Sequence, residues 1–276
     1  MKLKEMPRSL ARSIQLRFSN PDALGRHAQP ASTEVIISLT SIESRLPTLE
    51  LTIRSLLDQD VGFQKVVLWL NEMLALSVPK RLRALCSDRF EIRYSKEHGP
   101  HRKLIETLRH HEGATVVTCD DDMLYPQDWL ARLLATHQQH PGDIIGHECR
   151  KVSYKANNAL EDYECWPDEA NGASSATTLA IGYGGVLYPP KALHPDALNS
   201  ELYEELAPRA DDLWYKAMAL RQGTAVRRSE NSTPKPTPIL FAERVSLKKT
   251  NIRQGGNVEQ WQRLAERFSL DELLKR

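Results

Sequence analysis

From residue 34 onward, short apolar runs alternate with amphipathic stretches. "EVIISLTS" is β-branched, almost continuously apolar and ended by hydroxyl residues, which predicts a buried strand. "LPTLELTIRSLLDQD" follows with Leu49, Ile53, Leu56 and Leu57 on one face, the spacing of an amphipathic helix. "KVVLWLN" and "FEIRYS" read as further strands, with "VPKRLRALCS" and "HRKLIETLRHH" as the helices between and after them. "ATVVTCDDD" is a fourth strand that ends in three aspartates. Strands alternating with helices at this spacing predict an α/β fold, a mostly parallel, Rossmann-like sheet flanked by helices. In such sheets ligands sit outside the carboxyl ends of the strands, where the three aspartates stand.

The second half has a weaker pattern. "HECRKVSYKANNALEDYECWPDEANGASSATTLAIGYGGVLYPPKAL" is rich in Gly, Asn, Ser, Pro and aromatic residues and reads as a loop-rich region. "ADDLWYKAMALRQG" is a helix opened by acidic residues, which suits the helix dipole, and closed by Gly223. "ENSTPKPTPI" is extended, and "NVEQWQRLAERFSLDELLKR" is one terminal amphipathic helix. No internal repeat is visible, so a single domain over 34–276 is expected, preceded by an arm and linker over 1–33.

The arm, "MKLKEMPRSLARSIQLRF", places Leu3, Met6, Leu10, Ile14 and Phe18 at helical spacing with Lys2, Lys4, Arg8, Arg12 and Arg17 between them. A basic amphipathic helix of this kind can lie on an anionic membrane surface. It can equally pack on its own domain or on a second subunit, and Pro7 interrupts the pattern.

Composition narrows the function. With 41% hydrophobic and 26% charged residues and a formal net charge of +1, the 276-residue chain has material for a core and lacks the basic excess of a nucleic-acid binder. Cys86, Cys119, Cys149 and Cys165 are widely spaced with no CxxC pair, so neither a zinc ribbon nor a disulfide framework is indicated. No stretch approaches the length of a membrane span, and no secretion signal is visible. A cytoplasmic location is expected, with peripheral contact to the inner face of the membrane through residues 1–18.

Asp120, Asp121 and Asp122 repel one another, and their backbone is pinned to a buried strand. Hard oxygen ligands at such an edge suit Mg²⁺ or Mn²⁺, which take one or two carboxylates and fill other positions with phosphate oxygens and water. A solvated acidic turn is the simpler alternative. Arg45 and Lys103 lie just beyond predicted strand ends on the same side, and Thr40 and Ser41 are candidate nucleotide contacts. His98 and His101 have no helix to align them and read as loop histidines.

Several ordered pieces carry a resemblance. "TCDDDMLYPQDWL" is similar to the DxD motif of GT-A fold, nucleotide-sugar-dependent glycosyltransferases. "IISLTSIESRL" resembles their first strand and nucleotide loop, and "HGPHRKL" their GPxxKL segment in a bacterial polysaccharide-type, family 2-like branch. "IGYGGVLYPPKAL" resembles the glycine-rich acceptor-side segment, and "APRADDLWYKAMAL" the acidic helix start of inverting members. The resemblance implies a nucleotide-sugar-binding half over 34–125, an acceptor-side half over 126–250 and a C-terminal helix over 251–276. It implies Mn²⁺ or Mg²⁺ on Asp120 and Asp122, and contact of Asp121 with the ribose or donor sugar. Donor contacts are implied for Thr40, Ser41, Arg45, Gly99, Pro100, Lys103, Gly184 and Gly185. Asp212 is preferred as the base with Asp211 supporting it; family members commonly show Glu-Asp here, so the register between the two stays open. The implied reaction moves a sugar from a nucleoside-diphosphate donor, a UDP-sugar by preference, to a glycan or lipid-linked glycan, with inversion, in bacterial surface polysaccharide synthesis.

From the residues themselves, Gly182, Gly184 and Gly185 would let backbone approach a sugar closely, or simply make a turn. Trp166, Tyr183 and Trp214 are candidates for stacking on sugar rings, although burial is the commoner fate of such side chains. Two other readings compete. A nucleotidyltransferase on a related fold would normally carry a glycine after its first strand, and "SLTSIESRL" has none. A non-catalytic carbohydrate-binding protein would not need the acidic pair at 211–212.

Overall fold

The computed structural model describes residues 5–157, 159–240 and 255–274. Lys2, Leu3 and Lys4 of the arm, residues 241–254 and the last two residues of the expected terminal helix lie outside the described residues. In chain order the described elements begin with α1 (Met6–Phe18), β1 (Val35–Thr40), α2 (Leu46–Leu57), β2 (Lys65–Asn71), α3 (Lys80–Arg83), β3 (Phe90–Ser95), α4 (Arg102–His110) and β4 (Thr115–Thr118). There follow β5 (Met123–Leu124), α5 (Trp129–Gln139), β6 (Ile144–Gly146), β7 (Cys149–Lys151), β8 (Thr178–Ala180) and β9 (Val186–Tyr188). The chain continues through α6 (Ser200–Leu206), α7 (Asp211–Gln222), β10 (Val226–Arg228), β11 (Thr237–Pro238), α8 (Gly256–Phe268) and α9 (Leu270–Leu273).

Among the described residues the main sheet has seven strands in the order β10-β6-β9-β4-β1-β2-β3. β4, β1, β2 and β3 pair in parallel, as expected for strands joined by helical crossovers. β9 runs antiparallel between β4 and β6, and β10 then pairs in parallel with β6. The sheet is therefore mostly parallel, and the loop-rich second half supplies strands to its middle and its far edge.

Period-two alternation places the core. Val35, Ile37 and Leu39 of β1 join Val66 and Leu68 of β2 on the face covered by α2 and α5. On the opposite face Val116 and Val186 meet Leu104, Trp214 and Trp261 from α4, α7 and α8. A strand between two such faces must be apolar on both, which is why β1 and β4 read as continuous apolar runs. Ser38 is the polar exception: its hydroxyl lies 2.7 Å from that of Thr107 and also bonds the Lys103 carbonyl, which anchors the start of α4 on the sheet.

Three elements differ from expectation. The helix predicted over "VPKRLRALCS" is only the short α3, because its last turn is spent on a bridge between Ser87 and Phe90. The terminal helix breaks at Ser269, which takes a left-handed φ of 50°, so it is two helices. Pro7 falls in the first turn of α1, where its missing N–H has no intrahelical partner to lose, and does not interrupt the helix. The described cysteines form no disulfide.

Candidate active site

The three aspartates form the turn between β4 and β5, and buried groups hold its backbone. Asp120 donates its N–H to the Tyr125 hydroxyl at 2.9 Å, and that hydroxyl bonds the Tyr183 carbonyl at 3.2 Å. Thr52 donates to the Asp121 carbonyl at 2.9 Å, and the Asp122 carbonyl accepts from Ile239 N–H at 2.9 Å. A turn tied down from four segments presents its carboxylates in fixed directions.

Those directions differ. Asp121 is only 4% exposed and accepts hydrogen bonds from Ser41 and Arg45. Burial pushes its carboxyl up, and Arg45 and Ser41 pull it back. Its side chain thus ties the aspartate turn to the loop after β1. Asp122 stays partly open, with Arg45 Nη2 at 3.1 Å from its Oδ2. Burial first, then the neighbouring Asp120, raises the Asp122 carboxyl to about 7. Asp120 is the most exposed of the three, and Lys103 Nζ lies 2.8 Å from its Oδ1.

Lys103 connects the two acidic sites. It is buried at the first turn of α4, and its ammonium is also 3.1 Å from Asp211 Oδ2 at the start of α7. Burial alone would lower this ammonium, but Asp120, Asp211 and Asp212 outweigh that and hold it well above its ordinary range.

Asp211 and Asp212 occupy the first turn of α7, whose N-cap is Ala210, so neither serves as the capping residue. Asp211 is buried against Lys103. Asp212 remains half-buried, and both of its oxygens accept from the Gly182 N–H at 3.1 Å. Burial and then the adjacent Asp211 carboxylate push the Asp212 carboxyl upward, with Lys103 opposing them. Gly182 sits in a tight place: a Cβ there would stand 3.0 Å from Asp212 Oδ1 and from Lys103 Nζ, and 3.4 Å from Asp120 Oδ1. One backbone position therefore lies against Asp120, Lys103 and Asp212 together.

The remaining candidates are placed as follows. Thr40 donates to the Trp69 carbonyl at 2.8 Å and accepts from Arg102 at 3.0 Å, so its hydroxyl is committed within the protein. Gly99 has a φ of 76°, and a Cβ on it would lie 3.3 Å from the Pro208 carbonyl, which brings the Gly99-Pro100 loop against the approach to α7. The Tyr215 hydroxyl bonds the His101 carbonyl at 2.9 Å and reinforces that junction. Gly184 and Gly185 make their close approaches to Glu148 and Trp129 of the protein itself. His101, the N-cap residue that precedes α4, is buried with its ring stacked on Tyr203 at 4.3 Å. Trp166 and Trp214 are buried in the second core face and cannot stack on a ligand. Tyr183 keeps some exposure, with its hydroxyl bonded to Glu148 at 3.0 Å. Sequence reasoning missed Tyr125 and Glu148; a tyrosine three residues after an acidic triplet carries no signal of its own.

Among the described residues, no group of three or more His, Cys, Asp or Glu side chains is arranged to hold a metal alone. Around the site, however, Asp120, Asp121, Asp122, Asp211 and Asp212 face Arg45 and Lys103, an excess of negative charge. Asp120 and Asp122, the two members of the turn with open carboxylate surface, would be the residues to hold a Mg²⁺ or Mn²⁺.

The family model described as glycosyl transferase family 2 matches residues 36–167, from β1 through the aspartate turn into the loop region. No curated protein matches the chain. Among solved structures, residues 1–349 of TarS from S. aureus superpose with a TM-score of 0.47 and 18% identity, over 74% of this chain and 59% of that one. TarS 1–349 in complex with UDP gives 0.47 and 17%, over 74% and 59%. The 4-diphosphocytidyl-2C-methyl-D-erythritol synthase of Anaerococcus prevotii DSM 20548 gives 0.46 and 12%, over 81% of this chain and 97% of that one. The chain thus spans less than two thirds of the TarS structure that it matches. Residues 36–167, just under half of the chain, thus resemble the glycosyl transferase family 2 model, and they lie on a mostly parallel α/β sheet.

Proposed function

We propose that this protein transfers a sugar from a nucleoside-diphosphate donor to a hydroxyl of a glycan or lipid-linked glycan, with inversion, in bacterial surface polysaccharide synthesis. The observation that carries the reading is the bridge formed by Lys103. One buried ammonium, within 3.1 Å of both Asp120 and Asp211, ties the diphosphate side to the helix start that bears Asp212.

In this reading the donor diphosphate lies along the aspartate turn, with Arg45 and Lys103 near the phosphates. A divalent cation held by Asp120 and Asp122 would supply neutralisation of the charge that develops on the leaving diphosphate. Asp121 holds Arg45 and Ser41 in place from behind. The acceptor hydroxyl enters beside Asp212, whose raised proton affinity and fixed hydrogen bonds to Gly182 suit a general base. As the acceptor oxygen bonds to the anomeric carbon, the bond to the diphosphate breaks and its electron pair leaves with the phosphate. The hydroxyl proton passes to Asp212. A single base and an in-line departure give inversion. UDP is the preferred nucleotide, and the acceptor class follows the resemblance to the bacterial polysaccharide branch.

The test is a panel of nucleotide sugars with Mn²⁺ or Mg²⁺ and mixed glycan acceptors, read as nucleoside diphosphate released. Asp212→Asn is expected to lower turnover by roughly 10²–10⁴-fold with donor affinity nearly unchanged, and Asp211→Asn is expected to weaken both. Unchanged turnover in Asp212→Asn with a collapse in Asp211→Asn would move the base to Asp211, and full activity in both would remove it from α7. Pyrophosphate release from a nucleoside triphosphate and a sugar phosphate would replace the reading with nucleotidyl transfer.

A further inference from the structure

The helix α1 turns its more apolar side away from its own domain. Its inner side meets the domain through Ser9 and Leu16, both fully buried. Ser9 donates to the Pro238 carbonyl at 2.8 Å, and Arg12 pairs with Asp58 at 2.8 Å. On the outer side Met6, Leu10, Ile14 and Phe18 are 39%, 51%, 50% and 82% exposed. Residues four apart on a helix lie one above the other, so these four form a continuous stripe. A helix that merely covers a domain faces its apolar stripe inward. Here the inward contacts are a hydroxyl and an ion pair beside one leucine, and the outward ones are Leu, Ile and Phe.

The charge on this helix is one-sided as well. Arg8 and Arg17 are exposed beside the stripe, and no Asp or Glu occurs from Met6 to Phe18. Arg12 is committed inward, and Lys2, Lys4 and Glu5 precede the helix in the sequence, a further excess of positive charge. Apolar tips flanked by guanidinium groups with no acidic residue among them complement the boundary between acyl chains and anionic headgroups. A groove on a partner protein would use the stripe but gives no reason for the uniform charge.

We infer that the outer side of α1 docks on an anionic lipid bilayer, with Leu10, Ile14 and Phe18 entering the headgroup–acyl boundary. The location of α1 gives this docking a direction. Pro238, held by Ser9, belongs to β11, which pairs antiparallel with β5, and the next residue, Ile239, bonds Asp122. The docking helix is thus joined through one short ladder to the aspartate turn, and the docked protein holds that turn near the lipid surface. Resting on the function proposed above, the acceptor would be carried in the lipid layer; the docking itself does not depend on that function.

The test is cosedimentation of the full chain with vesicles of phosphatidylcholine alone and of phosphatidylglycerol mixed with phosphatidylcholine. The wild type is expected to bind the mixed vesicles and to be released by salt. The triple variant Leu10→Ser, Ile14→Ser, Phe18→Ser is expected to bind on the order of 100-fold more weakly. Arg8→Gln with Arg17→Gln is expected to bind roughly 30-fold more weakly, from about 1 kcal/mol for each basic residue near the surface. A circular dichroism melt of the triple variant should match the wild type, since the replaced side chains are exposed; should it not fold, Phe18→Ser alone, expected to bind about tenfold more weakly, decides. Equal vesicle binding by these variants would overturn the proposal, as would equal binding of the wild type to both vesicle compositions. A wild-type oligomer that the triple variant dissolves, with no vesicle binding by either, would overturn it in favour of self-association.

Discussion

Lys103→Met removes the ammonium and keeps most of the volume, so it isolates what the bridge contributes. Lys103 Nζ lies 2.8 Å from Asp120 and 3.1 Å from Asp211. At an effective dielectric of about 20, a unit pair at such distances attracts by about 5–6 kcal/mol. Much of this is offset by the desolvation of the ammonium, which the variant no longer incurs. The Asp120 side chain is 34% exposed, so solvent screens its share, whereas Asp211 at 12% is left facing Asp212 without a counter-charge. Removing one partner of a buried pair costs about 3–5 kcal/mol, and that is the expected loss at alkaline pH. Its dependence on pH follows from Asp212. A carboxyl raised in the folded state above its unfolded value favours folding at low pH, and that advantage fades as pH rises through the carboxylate range. With Lys103 gone Asp212 rises further above its value of about 8, so the deficit of the variant should be larger near pH 9 than near pH 6, where protonation relieves the repulsion. Urea unfolding at both values measures it. A variant within about 1 kcal/mol of the wild type at both would refute the argument that Lys103 neutralises this cluster.

Two further outcomes are expected. His101 is fully buried, and burial lowers it from 6.5 to about 4, so folding stability is lost as pH falls through that interval, by about 3 kcal/mol; His101→Phe, which can keep the stack on Tyr203, should flatten the acid limb in thermal melts, and an unchanged limb would assign it to other groups. Gly182→Ala should fold with a loss of about 1 kcal/mol but lower turnover by roughly tenfold or more by pushing on Asp212 and Lys103, so wild-type kinetics would show that this contact can relax freely.

The parallel half of the fold was legible because β1, β2 and β4 are apolar on both faces and are separated by helices with a clear stripe. β9 was not legible: "VLY" is three residues long, and its place between β4 and β6 is decided by pairing partners far away in the chain. At the site, Asp120, Lys103 and the acidic pair stood out through charge at strand and helix ends. The different directions of the three aspartates did not, because sequence adjacency says nothing of which carboxylate meets Ser41 and Arg45. Gly182 was visible as one glycine of several, but its role depends on what a missing methyl group would touch.

The antiparallel β9 also governs the order in which the chain can become a finished object. Val116, Val117 and Thr118 of β4 obtain their outer partners only from Tyr188, Leu187 and Val186, which emerge from the ribosome about seventy residues later. Until then β4 is a bare, apolar sheet margin that already carries the aspartate turn, a ready template for another chain. Closing that margin brings Gly182, four residues upstream of β9, against Asp212 and Lys103. The step that hides the sticky edge is therefore the same step that assembles the two acidic sites, and an unfinished chain has neither protection nor chemistry.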